Sequence, residues 1–138
     1  MSEKIEDLQD ENVELRVETI LNPSEDPEKV KKCLVNVVNG CRPVTKDGHV
    51  EATCRGIMSL HHIRVGVRSK SSLGVFRKLL EWNRKGNATW FLLNKQAAYS
   101  GVISLVEHYE ESPLGPIRVT ITSKSLDTII EWLLLSRG

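Results

Sequence analysis

The spacing of apolar residues along the chain changes period several times. Residues 13–21, VELRVETIL, alternate, with Val13, Leu15 and Val17 on one side and Glu14, Arg16 and Glu18 on the other. A period of two predicts a half-buried strand with one solvent face. Val30, Cys33, Leu34 and Val37 then recur at helical spacing. Asp26 stands where an N-cap belongs, Pro27 at the first helical position and Glu28 in the first turn, and Asn39-Gly40 supplies the stop. Residues 41–48, with Pro43 and Asp47-Gly48, predict a loop. HVEATC (49–54) predicts a short strand with Val50, Ala52 and Cys54 on one face.

Two helices follow. Ser59 is positioned to cap the first, which carries Leu60, Ile63 and Val67. Ser71 or Ser72 starts the second, whose apolar stripe is Leu73, Phe76, Leu79 and Leu80 and whose end is Lys85-Gly86-Asn87. TWFLLN (89–94) is apolar on both faces, Phe91 and Leu93 on one and Trp90 and Leu92 on the other. Such a strand is covered on both sides, by helices or by another subunit. GVISLVEHY (101–109) predicts a second strand of this kind, reached from the first by a hairpin-like turn. ESPLGPI is a turn, IRVTIT alternates cleanly, and Ser125 precedes a helix bearing Leu126, Ile129, Ile130, Leu133 and Leu134.

The expected order is therefore β-α-β-α-α-β-β-β-α. Short links make the last three strands antiparallel neighbours. The pattern predicts a flexible acidic tail at residues 1–11 and a single α+β domain at 12–138, a mostly antiparallel sheet with helices packed mainly on one face.

Composition sharpens this reading in two places. No apolar run approaches the roughly 18 residues that span a bilayer, and the acidic start MSEKIEDLQDE lacks the basic and apolar regions of a secretory signal. Membrane association is not expected. Three cysteines, Cys33, Cys41 and Cys54, form no CxxC pair, and their odd number predicts a reducing cytoplasm rather than a disulfide framework.

Charge changes the picture more. The formal net charge is only +1. Yet between Arg55 and Lys95 stand Arg55, Arg64, Arg68, Lys70, Arg77, Lys78, Arg84, Lys85 and Lys95 against the single carboxylate of Glu81. A basic middle lies between acidic ends. Arg64 and Arg68, four apart on a predicted helix, would share a face, and Arg77, Lys78, Arg84 and Lys85 lie off the apolar stripe of the next one. Guanidinium groups suit phosphates because they offer two parallel hydrogen bonds. A solvated helix surface is the plainer reading of the same charges.

LNKQAAYSG (93–101) adds Asn94, Lys95, Gln96 and Tyr99 behind the most apolar strand. Two amides, an ammonium and a flat ring can hold a phosphate, meet a base edge and stack on it. Amides also satisfy backbone groups in turns, so the stretch equally predicts a structural role.

Catalytic signatures are missing. Adjacent His61 and His62 point about 100° apart on a helix, and with Cys54 they still lack a fourth ligand at a recognisable spacing, so no metal site is expected. No glycine-rich phosphate loop and no local nucleophile–base arrangement appears. No cofactor is expected. An enzyme acting on a phosphorylated metabolite would need a deep pocket lined by Lys95, Gln96 and acidic partners.

GNATWFLLNKQAAYSGVISLVE followed by ESPLGPIRVTI, with NPSEDPEKVKKCLVNVV near the start, resembles an archaeal family of small proteins catalogued as RNA-binding. The resemblance covers nearly the whole chain after residue 11 and is strongest in LNKQAA and SPLGPI. It implies a fold like that of the large-subunit ribosomal protein that binds 5S ribosomal RNA, and a link to RNA processing or ribosome-related assembly. The expectation is a non-catalytic protein with RNA as its partner. The runner-up is an assembly protein acting as a homodimer, in which a second copy covers the outer face of TWFLL and VISLV.

Overall fold

A computed structural model of the chain describes Ile5 and residues 8–135. Six strands form one antiparallel sheet: β1 (Glu14–Ile20), β2 (Val44–Lys46), β3 (His49–Arg55), β4 (Ala88–Leu93), β5 (Leu105–Val106) and β6 (Ile117–Thr122). Their spatial order is β2-β3-β1-β6-β4-β5. The described residues also form the helices α1 (Pro27–Val37), α2 (His61–Gly66), α3 (Lys70–Trp82), α4 (Lys95–Tyr99) and α5 (Leu126–Leu134). The α+β class and the open antiparallel sheet agree with the pattern of the sequence.

Alternation decides which face is covered. Leu15 and Val17 of β1, Val50, Ala52 and Cys54 of β3, Phe91 and Leu93 of β4, and Ile117, Val119 and Ile121 of β6 are all buried. Against them pack Val30, Cys33, Leu34 and Val37 of α1, Phe76 and Leu80 of α3, and Leu126, Ile129 and Leu133 of α5. The centre of this core is an edge-to-face contact between Phe76 and Phe91, centroids 4.9 Å apart. Ile130, expected on the same stripe, is only partly buried. On the opposite face Arg16, Thr53 and Arg118 are exposed and Trp90 is half-buried.

Several boundaries differ from expectation, each for a local reason. Residues 44–46, read as loop, form β2, and Asp47-Gly48 is the two-residue turn that joins it to β3, with Gly48 at φ 74°. All three β2 side chains are exposed, so no alternation marked it. Ser59 is not a cap: its hydroxyl donates to the Gly56 carbonyl at 2.7 Å, inside a 3-10 turn that precedes α2. The cap of α3 is Ser69, whose hydroxyl accepts from the Ser72 amide.

The largest difference lies after β4. The expected hairpin turn is the helix α4, and the strand expected over 101–109 shrinks to the two residues of β5. Residues 102–104 instead pass beside α2, where Ile103 packs so closely on Gly66 that an added Cβ would lie 2.4 Å from it. The outer face of β4 is also covered from within. Leu92 pairs with Val106 and both are buried, while Trp90 lies beneath the Arg118 guanidinium. Leu92 is thus buried within the chain itself.

Cys41 and Cys54 are joined by a disulfide, Cα atoms 5.1 Å apart, which corrects the expectation drawn from the odd cysteine count. The spacing of 13 residues carried no signal, because the pair meets only after the chain has turned back along β3. Cys33 remains a buried thiol, pushed above its usual pKa by burial. Of the segment 1–11, residues 1–4, 6 and 7 lie outside the described residues, Leu8 is buried and Asp10–Asn12 forms a 3-10 turn. Among the described residues no helix is long and apolar enough to cross a membrane.

Candidate nucleic-acid interface

LNKQAA begins with a cap. The Asn94 side chain accepts from the Ala97 amide at 2.8 Å, which starts α4 where β4 ends. Lys95 then points inward and is 2% exposed. Its ammonium donates to the Ile20 carbonyl at 2.9 Å, to the Leu114 carbonyl at 2.7 Å and to the Glu25 carboxylate at 3.1 Å. An ammonium has three N–H bonds, and all three are taken. Burial works to raise the Glu25 pKa, but the Asn22 backbone and side chain and Lys95 hold it below the usual carboxylate value. The Asn22 amide also donates to Leu114.

Gln96 and Tyr99, the other two candidates of this stretch, face solvent. They border a groove of about 310 Å³ between α1 and α4, floored by Lys95, Glu25 and Cys33. Lys32 lies 5.1 Å from the Tyr99 ring centre, and the Asn36 amide donates to the carbonyls of Ala98 and Tyr99 at the end of α4. Lys95 and Gln96 thus line a groove beside acidic residues, as the enzyme reading asks. The cation at its floor is already saturated, however, and has nothing left for a phosphate.

The basic middle divides into two groups. Arg64 is a packing residue: its Nε donates to the Trp132 carbonyl at 2.9 Å and its guanidinium lies 5.0 Å from the Trp132 ring centre. Arg68 does not share a helical face with it, because α2 stops at Gly66. Arg84 pairs with the exposed Asp127. Arg77 reaches Glu81 only at 3.9 Å, and Lys78 reaches Glu107 at 3.5 Å while lying 5.0 Å from the Trp82 ring centre. Arg68, Lys70 and Lys85 are exposed and form no ion pair among the described residues.

The open face of the sheet holds groups that the sequence reading passed over. Strand register places Thr53, Arg16, Thr120 and Trp90 in one row, and Glu51, Glu18, Arg118 and Leu92 in the next. At the β1–β3 end the charges neutralise one another. Arg16 meets Glu18 and Glu51 at 2.8 Å each, and Glu51 also meets Lys46 and His49. The hydrogen bond from Lys46 leads in holding the Glu51 carboxyl down at about 2. At the β6–β4 end Arg118 has no carboxylate partner among the described residues and lies 4.2 Å from the Trp90 ring centre. The alternation of IRVTIT carried part of that signal, since it sets Arg118 apart from the buried Ile117, Val119 and Ile121, but Arg118 lies outside the basic stretch 55–95.

No three His, Cys, Asp or Glu side chains among the described residues gather closely enough to hold a metal. His62 faces the Gly101 carbonyl at 3.0 Å, and Cys54 is bonded to Cys41.

A family model described as RNA binding matches residues 14–123. The UPF0201 protein of Sulfurisphaera tokodaii is 38% identical over 121 residues, which cover 85% of this chain and 83% of that protein. That of Thermococcus kodakarensis is 34% identical over 124 residues, covering 87% and 88%. Among solved structures, the UPF0201 protein from Methanococcus jannaschii superposes with a TM-score of 0.73 at 29% identity, covering 91% of this chain and 96% of that one. A DUF54 protein from Archaeglobus fulgidus gives 0.65 at 18% identity, a likeness of fold alone.

Proposed function

We propose, from the premise that the chain belongs to the RNA-binding family matched over residues 14–123 and to the archaeal UPF0201 proteins, that it is a non-catalytic RNA-binding protein. The observation that carries this reading is the run from Arg55 to Lys95, nine cations against one carboxylate, lying wholly inside the matched range.

The fold supports dividing those cations by task. Arg68, Lys70 and Lys85 are free to meet phosphates, and the loose contacts of Arg77 and Lys78 with exposed carboxylates can be exchanged for phosphate oxygens. Arg84 can exchange Asp127 in the same way, because Asp127 is exposed. Gln96 and Tyr99 add an amide and a ring from the rim of the α1–α4 groove. Asn94, Lys95 and Arg64 hold the fold together and belong to the scaffold. RNA processing or ribosome-related assembly is the setting this reading favours. A cytoplasmic location goes with it.

Phosphate contacts release counterions, so affinity should fall with salt at a log–log slope of about −0.7 per phosphate for single strands. Charge reversal of Arg68 and Lys85 should weaken binding of unrelated RNA sequences by a similar factor and flatten that slope, because phosphates carry no sequence information. Binding by the double variant equal to the parent at low salt would remove these residues from the interface.

A further inference from the structure

The ion pairs of the sheet leave one guanidinium unneutralised, and it lies on a tryptophan. We propose that the open face of the sheet is a stacking platform for the unpaired bases of single-stranded RNA, centred on Trp90 and Arg118. The proposal rests on the RNA-binding reading and names the kind of RNA.

Three observations converge on it. First, Arg118 lies 4.2 Å from the Trp90 ring centre. At that distance the guanidinium sits over the indole in cation–π contact, and bases stack on guanidinium planes as they do on aromatic rings. Second, this pair stands between two concavities. Arg118 borders one of about 460 Å³ that also holds Tyr109, Arg16 and His49. Trp90 borders the other, of about 360 Å³, with Trp82, Lys78 and His108. Tyr109 and Trp82 are 54% and 73% exposed, large rings on either side of the central stack, with Lys78 beside that of Trp82. Rings and cations therefore alternate along one track, the arrangement that binds single strands through stacking plus backbone charge.

Third, two carboxylates that line these concavities lie against cations. Glu18 pairs with Arg16 at 2.8 Å and Glu107 with Lys78 at 3.5 Å. What remains is the charge of Arg118, complementary to a phosphate chain. A duplex keeps its base faces stacked inside, so it can offer this surface phosphates but nothing to stack. The platform thus separates single-stranded from paired RNA, which the helix cations alone do not.

The test compares a single-stranded oligouridylate with an RNA hairpin of equal phosphate number, on the full chain. Arg118→Lys keeps the charge and removes the plane. It should weaken oligouridylate binding about tenfold, within the range known for a lost base stack, and leave hairpin binding unchanged. Trp82→Ala, at an exposed position, should weaken the single strand in the same selective way. In a Trp82→Phe/Trp132→Phe background, the emission of Trp90 should be quenched by oligouridylate and not by the hairpin. Equal binding of both RNAs by parent and Arg118→Lys, without quenching, would overturn the platform and leave the RNA-binding reading intact. Failure of the parent to bind either RNA would overturn both.

Discussion

The ammonium of Lys95 lies 3.1 Å from the carboxylate of Glu25, with both side chains nearly sealed from solvent. The same ammonium reaches the carbonyls of Ile20 and Leu114. One cation thus ties the end of β1, the loop before α1 and the loop before β6 to the start of α4. LNKQAA and SPLGPI, with the NPSED loop, meet at this point.

Removing one partner of a buried pair leaves the other charged and unmatched. Lys95→Met should therefore cost about 3–5 kcal/mol in chemical denaturation. A second variant, Lys95→Met with Glu25→Gln, should recover part of the loss. Stability equal to wild type in the single variant would mean that the pair holds nothing together.

Asn94→Ala removes the cap of α4 and should cost about 1 kcal/mol. RNA affinity of the folded variant should not change, because the amide faces the Ala97 backbone. Lower affinity at unchanged stability would move Asn94 into the interface.

Glu51 provides a pH test on the surface. Its carboxyl titrates near 2 rather than at 4.5, owing first to Lys46. The folded state prefers the charged form, so the unfolded chain takes up the proton at higher pH. The stabilisation is complete above about pH 4.5 and disappears as pH falls towards about 2. Urea titrations from neutral pH downward should show wild type losing its advantage over Glu51→Gln across that window. A constant difference between the two would contradict the assignment.

The Cys41–Cys54 bond closes a short loop, and a loop of about 15 residues is worth about 3 kcal/mol by chain entropy. Reductant should lower the melting temperature of wild type and leave Cys41→Ser unaffected. Cys33, on the buried face of α1, should react with thiol reagents only after unfolding.

Element types were legible wherever one face of a segment is buried and the other wet. β1, β3, β6 and α1 follow their patterns because Leu15, Val50, Val119 and Leu34 point into one core. The stretch after β4 was not legible, since Ala97, Ala98 and Gly101 suit a turn and a helical turn alike. What decides between them is the Asn94 cap and the burial of Lys95, and the latter depends on Leu114, nineteen positions away. The basic middle was visible as composition. Its division into packing cations such as Arg64 and free ones such as Arg68 required the position of Trp132. Trp90 was expected under a cover and Arg118 drew no reading; the last three strands were expected as neighbours, but nothing in the linear order says that β6 lies beside β4 and not beside β5.

The two flanks of the sheet are stubs, three residues in β2 and two in β5. A flank is where foreign backbone can dock and extend the ladder, and a stub offers too few amide and carbonyl groups to hold it. Lys46 adds a charge to one of them. The consequence is colloidal: concentrated solutions should stay dispersed instead of zipping sheet to sheet into ribbons. Lengthening the Asp47-Gly48 hairpin by a few apolar pairs should turn the same fold towards fibrils.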